Sequence, residues 1–171
     1  YYTMPSGLAQ LIFSLLITLW AMRLILFLFY TRISKGIKDP RYTAMEKKWG
    51  ENKFVKTLLQ FYLQAGFQLL LCSAFIPVYL SPVYPINTIQ LIAMMVFCLS
   101  LIGETIADLQ LYQFQKSSAT GVFRSGLWRF SRHPNYFFEW LIWVGLALFS
   151  YGFLSHALAW ISPITIFIVM R

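Results

Sequence analysis

The sequence predicts an all-α protein, built as a polytopic bundle of transmembrane helices. Of its 171 residues, 58% are hydrophobic and only 12% are charged, whereas a soluble domain is about 45–50% apolar and about 25% charged. Aromatic residues make up 19% of the chain, and aromatic side chains are enriched where helices cross the membrane interfaces. A spanning helix needs roughly 20 mostly apolar residues, and five stretches approach that length, at residues 8–30, 54–80, 86–112, 136–153 and 154–170.

Breakers and charged segments separate these five predicted spans. The second span ends in the Pro-rich turn of residues 81–85, and the last two are joined near Gly152 as a hairpin. The sequence contains neither a repeat nor a separate soluble segment, so we predict a single transmembrane domain over residues 1–171. Because the chain starts at Tyr1 and stops directly after an apolar run, we expect it to be part of a longer protein that has further N- and C-terminal segments.

The basic residues support this threading. When the five spans alternate in direction, residues 32–56, residues 116–132 and Arg171 fall on one side, and these carry every Lys and Arg except Arg23. By the positive-inside rule this side is cytoplasmic, and we expect a bacterial inner membrane. The net charge of +8 then has two uses: attraction to anionic headgroups, or an electropositive mouth for a polyanionic cofactor. Nucleic acid is not an expected partner, because no soluble domain would carry it.

Two carboxylates interrupt the third span. Glu104 and Asp108 stand four residues apart and therefore share one face of a helix. Ionisable groups inside a span are expensive and are functional candidates by default. Ribose hydroxyls and a basic partner are both possible ligands. No His-rich set or further carboxylates accompany the pair, so we expect no metal site.

Two further ionisable groups lie inside predicted spans. Arg23 is about two turns from the cytoplasmic end of the first span, and we expect its side chain to snorkel to the headgroups, with a buried ion pair as the alternative. Glu139 lies one turn into the fourth span, and a buried carboxylate there requires a partner. The nearest candidates in sequence are Arg129 and Arg132.

The segment Gly-Leu-Trp-Arg-Phe-Ser-Arg-His-Pro-Asn-Tyr, residues 126–136, is the most informative. It is a basic loop in which Pro134 is suited to the first turn of a helix. The free amides at a helix start, beside guanidinium groups, predict an anion site at the membrane surface. An amide and two aromatic faces could hold a planar ligand. The alternative is a juxtamembrane anchor that grips lipid phosphates. The side chains involved are Trp128, Arg129, Arg132, His133, Asn135 and Tyr136.

This run, with Glu139 and Gly145 after it and Ala-Asp-Leu-Gln at 107–110 before it, resembles the signature of bacterial proteins of the steroid 5α-reductase-like membrane family. Residues 19–23 and 39–42 also resemble this group, so the similarity covers nearly the whole chain. The Arg-His-Pro core alone is shared with sterol reductases and isoprenylcysteine methyltransferases.

The resemblance implies a membrane-embedded oxidoreductase that holds NADPH from the cytosolic side. Hydride would pass to an activated C=C bond of a lipid-like substrate, of the steroid or enone type, that enters from the bilayer. Glu104 and Tyr136 are the candidates for catalysis. The residues implied to contact the cofactor are Asp108, Arg124, Trp128, Arg129, Arg132, His133, Asn135, Tyr136 and Glu139.

Two alternatives stay open. One is an S-adenosylmethionine-dependent methyltransferase of the isoprenylcysteine type, although that cofactor carries no phosphate for the arginines to bind. The other is a non-catalytic membrane protein that binds lipid. Two positions differ from the family pattern: Phe138 stands where the group often has Gly before the motif's Glu, and Trp20 aligns near a Tyr that polarises the ketone in steroid reductases.

Overall fold

The computed structural model describes residues 7–36, 52–81, 85–117 and 121–170, and it is all-α over these residues. The prediction of a helical membrane bundle is therefore confirmed. The 3-10 turns lie at Ile33–Lys35, Cys72–Ala74, Gly126–Arg129 and His156–Trp160. The α-helices are α1 (Leu8–Thr31), α2 (Lys53–Leu71), α3 (Phe75–Leu80), α4 (Thr88–Lys116), α5 (Pro134–Phe149) and α6 (Ile161–Met170).

Three of the predicted spans form helices that are long and apolar enough to cross a membrane, at Leu8–Thr31, Lys53–Leu80 and Thr88–Lys116. The other two are shorter than predicted. α5 has 16 residues, or about 24 Å at the usual rise per residue, because the chain leaves it at Ser150 for a series of hydrogen-bonded turns. The last apolar helix covers His156–Met170.

The core of the bundle is centred on the packing of α4 against α5. Gly145 permits this close approach, since a Cβ atom there would lie 3.2 Å from the carbonyl oxygen of Ala93. α1 and α3 close over this pair, and α2 contributes no buried residue. The largest fully buried apolar side chains include Phe13, Phe97, Ile142, Leu146 and Phe149.

Consecutive long helices alternate in direction. At one end, which we call the neutral end, Gln10 Nε2 donates to the carbonyl oxygen of Val78, and Gln90 Nε2 donates to that of Phe149. At the opposite end, Arg32 directly follows α1, and Lys116 is the last residue of α4. This order agrees with the predicted threading, whereas the assignment of sides stays a prediction. Residues 37–51 and Arg171, which carry much of the predicted basic charge, lie outside the described residues.

Candidate functional site

A buried charged cluster lies between α1, α4 and α5. Its centre is Arg23, whose Nη1 donates to Glu104 Oε1 at 2.7 Å and whose Nη2 donates to Asp108 Oδ2. The expectation that Arg23 snorkels to the headgroups is therefore wrong. Because Glu104 and Asp108 are one helical turn apart on α4, together they offer two acceptors to one planar guanidinium, which suits bidentate binding.

Glu139 joins the cluster from α5. Its Oε2 accepts from Trp20 Nε1 at 3.1 Å, and its Oε1 accepts from Trp143 Nε1 at 2.9 Å. The predicted pairing with Arg129 or Arg132 is thus wrong. Both arginines are exposed before the start of α5, whereas Glu139 lies on the first turns of the helix and its side chain reaches across to α1.

Asn135 links the cluster to the loop before α5. Its Nδ2 donates to Asp108 Oδ1 at 3.2 Å, while its own Oδ1 is buried and accepts no hydrogen bond within the described part of the chain. A buried acceptor without a donor is uncommon in folded proteins. The buried charged cluster therefore consists of Arg23, Glu104, Asp108, Asn135 and Glu139, and it has an open acceptor on the side of the loop.

A cavity of about 730 Å³ opens beside the loop that precedes α5. We call it the basic cavity. Phe114 stacks on Phe123 in its wall with ring centroids 4.8 Å apart, and Trp128 lies beside Phe123. Trp128 is fixed by its Nε1, which donates to the carbonyl oxygen of Ala107 at 3.0 Å. The cationic and titratable side chains that line the cavity are Arg124, Arg129, Arg132 and His133.

The loop is attached to α4 by Gln110. Gln110 Oε1 accepts from the backbone N–H of Leu127 at 3.0 Å. Gly126 has φ of 58°, and a Cβ atom there would lie 2.4 Å from Gln110 Nε2. Only glycine meets both conditions comfortably. The Asp-Leu-Gln and Gly-Leu-Trp motifs thus form one joint that attaches the loop lining the basic cavity to α4, two residues after Asp108.

The departure at Phe138 is accommodated by a glycine on the neighbouring helix. A Cβ atom on Gly103 would lie only 2.4 Å from the ring of Phe138. The ring therefore occupies space that any other residue at position 103 would fill. Phe138 does not displace Glu104, which follows Gly103 on α4 and keeps its contact with Arg23.

The predicted site residues divide into two adjoining groups. Asp108, Asn135 and Glu139 belong to the buried charged cluster together with Glu104. Tyr136 does not line the basic cavity, and its ring stacks on that of His133 with the ring centroids 5.0 Å apart. The residues of the second group, which line the basic cavity, are Arg124, Trp128, Arg129, Arg132 and His133.

Sequence reasoning missed the roles of Trp20 and Trp143, and it gave the buried ion pair of Arg23 only as an alternative. The contact between Trp143 and Glu139 could have been predicted, because Trp143 stands four residues after Glu139 and so shares its helical face. Trp20 and Arg23 are likewise three apart on α1. Among the described residues, no group of three or more His, Cys, Asp and Glu side chains is arranged to hold a metal ion.

The fold and site define a class: an all-α membrane bundle in which a basic cavity adjoins a buried charged cluster. The chain belongs to the steroid 5α-reductase-like family described as "Protein of unknown function (DUF1295)", whose family model matches residues 2–171. No curated protein and no solved structure matches the chain.

Proposed function

We propose that this protein is a membrane-embedded, NADPH-dependent reductase that acts on an activated C=C bond of a lipid-like substrate. The observation that carries the proposal is the connection between the two groups: His133 lines the basic cavity, and Asn135, two residues later, belongs to the buried charged cluster and has a buried acceptor without a donor among the described residues. Family membership supports the same conclusion. The arrangement combines an anion site with a polar site at greater depth, which is what a dinucleotide requires.

The residues of the cavity fit the phosphorylated part of such a cofactor. Small-molecule and cofactor sites commonly enclose about 300–1,000 Å³, and the basic cavity has about 730 Å³. Arg124, Arg129 and Arg132 would hold the phosphates, because a guanidinium group binds phosphate through two parallel hydrogen bonds. Phe123 and Trp128 offer apolar faces for a planar base.

The deeper cluster fits a group that donates hydrogen bonds. Asn135 Oδ1 is buried and has no donor in the part of the chain that the structure describes, and a carboxamide N–H or a ribose hydroxyl would supply one. Asp108 and Glu139 are fixed by their present partners and would orient the ring edge that reaches them. When bound, NADPH supplies a hydride to the β-carbon of the substrate, whereas the protein contributes placement, electrostatics and exclusion of water.

The membrane supplies the substrate in this proposal. The exposed faces of α1, α2 and α4 are apolar, as expected of lipid-facing helices, so a hydrophobic substrate can approach laterally. The basic end, with Arg32, Lys53, Lys56 and Lys116 near the helix ends, would face the cytoplasm by the positive-inside rule. The proposed location is a bacterial inner membrane, with segments 32–56 and 116–132 on the cytoplasmic side.

The test is NADPH binding to the detergent-purified full-length protein by titration calorimetry, with NADH and S-adenosylmethionine as competitors. We expect NADPH to bind more tightly than NADH, and Arg132→Ala and Asn135→Ala each to weaken NADPH binding by about tenfold, the effect of one lost hydrogen bond to a charged or buried group. Lys56→Ala, an exposed cation outside the cavity, is the matched control and should bind as wild type does.

The competitors decide between the alternatives. Binding of S-adenosylmethionine without NADPH would replace the reductase with a methyltransferase. If neither cofactor binds, the non-catalytic lipid-binding protein is the better account. NADPH binding that survives both substitutions would move the cofactor away from this loop.

A further inference from the structure

The buried charged cluster has more negative than positive groups. Glu104, Asp108 and Glu139 bring three carboxyl groups, and Arg23 brings the one cation that contacts them among the described residues. If every group were ionised, the cluster would carry an excess of two negative charges inside a membrane-spanning bundle. Charges at that depth are costly unless they are paired, and buried groups under such strain neutralise by binding protons.

Hydrogen bonds distinguish the three carboxyl groups. Asp108 receives a donor on each oxygen, from Arg23 and from Asn135. Glu139 also receives a donor on each oxygen, from Trp20 and from Trp143. Hydrogen bonds donated to both oxygens suit the ionised form of a carboxyl group, and Asp108 and Glu139 both have this arrangement.

Glu104 is different. Its Oε1 accepts from Arg23, but its Oε2 is buried and has no donor in the described part of the chain. The residue is 6% exposed, so solvent does not satisfy that oxygen. Of the six carboxyl oxygens in the cluster, Glu104 Oε2 is the one that receives no hydrogen bond from the described residues.

Another acid lies across the helix interface from Glu104. The residues that precede Glu104 and Glu139, Gly103 and Phe138, are in close contact where α4 packs against α5. The other charged groups of the cluster are Arg23 on α1 and Asp108 on the same helix as Glu104. Two carboxyl groups in contact bind each other only when one of them carries a proton, as in sites where like-charged acids share one.

We infer that Glu104 and Glu139 form a proton-binding site, in which Glu104 carries the proton on Oε2 and donates it toward Glu139. Protonation removes one of the excess charges and gives the sixth oxygen a hydrogen-bonding role. The cluster then holds two anions and one guanidinium group.

The position of this proton suits a reductive role, and that role rests on the proposed function. Glu104 precedes the end of α4 at Lys116 by twelve residues, or about 18 Å along the helix, and it is one turn deeper than Asp108. It therefore lies beyond Asp108, one of the proposed cofactor contacts, toward the bilayer interior. In the reduction, hydride joins the β-carbon. The O–H bond of Glu104 breaks, its proton joins the α-carbon, and the resulting carboxylate regains a proton from solvent.

The closing experiment is infrared spectroscopy of the purified full-length protein at neutral pH, in H₂O and in D₂O. A protonated, buried carboxyl group has a carbonyl stretching band that ionised carboxylates lack and that shifts in D₂O. We expect the band in wild type and its loss in Glu104→Gln. Glu46→Gln, the same chemical change in the basic segment of the sequence, should keep the band. Absence of the band in wild type, or its persistence in Glu104→Gln, would overturn the inference.

Thermal unfolding of the same variants guards against a misfolded protein. The glutamine amide reproduces a protonated Glu104: its oxygen accepts from Arg23 and its NH₂ donates to Glu139. Glu104→Gln should therefore unfold at or above the wild-type temperature. A marked fall would mean that Glu104 is the ionised partner of Arg23, against the inference.

The role of Glu104 as the proton donor in the reduction is tested separately, with progesterone as the enone probe. We expect Glu104→Gln to slow NADPH oxidation by at least about 100-fold, the usual lower effect of a general acid, with NADPH affinity unchanged. Equal rates would overturn the role. Because the infrared measurement needs neither cofactor nor substrate, failure of the reductase proposal would appear in the binding titration instead.

Discussion

The buried polar groups at the two ends of the bundle differ in how completely they are hydrogen-bonded. At the neutral end, Gln90 is 1% exposed and uses its whole side chain: it closes a capping box with Asn87 and donates to the carbonyl oxygen of Phe149. In the buried charged cluster, Arg23 Nε, Glu104 Oε2 and Asn135 Oδ1 are all buried without a partner among the described residues.

This difference separates polar groups that hold the fold from those that await a ligand or a proton. A buried polar group left without a partner destabilises a protein by about 1–3 kcal/mol, so three in one cluster need a reason to persist. Gln10 Oε1 is a similar open atom at the neutral end, but it stands alone and its amide nitrogen is bonded to Val78. The open atoms concentrate at the candidate site.

The largest expected effect on stability comes from removing Arg23, the cation of the buried charged cluster. Arg23→Met leaves Glu104 and Asp108 without their shared partner, and loss of one member of a buried ion pair costs about 3–5 kcal/mol. We expect a large fall in the unfolding temperature, measured by light scattering in detergent. Lys56→Met, an exposed cation on α2, is the matched control and should leave it unchanged.

A charge-removing combination sharpens this test. Arg23→Met together with Glu104→Gln and Asp108→Asn removes the two carboxyl groups that lost their cation, so much of the lost stability should return. If the triple variant is no more stable than Arg23→Met, the loss arises from packing of the arginine stem and not from its charge.

A smaller effect is expected where the helices meet beside the cluster. Gly103→Ala places a methyl group inside the ring of Phe138, and such overpacking typically costs about 1–3 kcal/mol. Chemical unfolding should show this loss in the single variant and its partial recovery in Gly103→Ala with Phe138→Ala. Wild-type stability in the single variant would mean that the ring moves freely toward lipid.

The fold was predictable from the sequence because its signals are local. Apolar runs of sufficient length predict the helices, and Pro134 marks the first turn of α5, as observed. The shorter α5 was not predicted, since Tyr151 and Phe153 extend the apolar run although the chain leaves the helix there through turns.

The site was predictable only in part, because its contacts join distant segments. The spacing of Glu104 and Asp108 placed both on one face of α4, and the loop motif identified the cationic side chains of the cavity. The partner of Arg23, however, is 81 residues away, and that of Trp20 is 119 residues away. Nearness in sequence suggested Arg129 and Arg132 for Glu139, and a single sequence contains no information that would have replaced them.

The most direct test of the account measures NADPH affinity and unfolding temperature on the same two variants, Asn135→Ala and Gln90→Ala. We expect Asn135→Ala to lose about tenfold in affinity and, in stability, only the contribution of its one hydrogen bond, to Asp108, because its oxygen has no donor among the described residues. Gln90→Ala should lose about 1–2 kcal/mol of stability through its cap and its bond to Phe149, with NADPH affinity intact. An equal loss of affinity in both variants, or none in Asn135→Ala, would contradict the division between a structural end and a ligand-binding end.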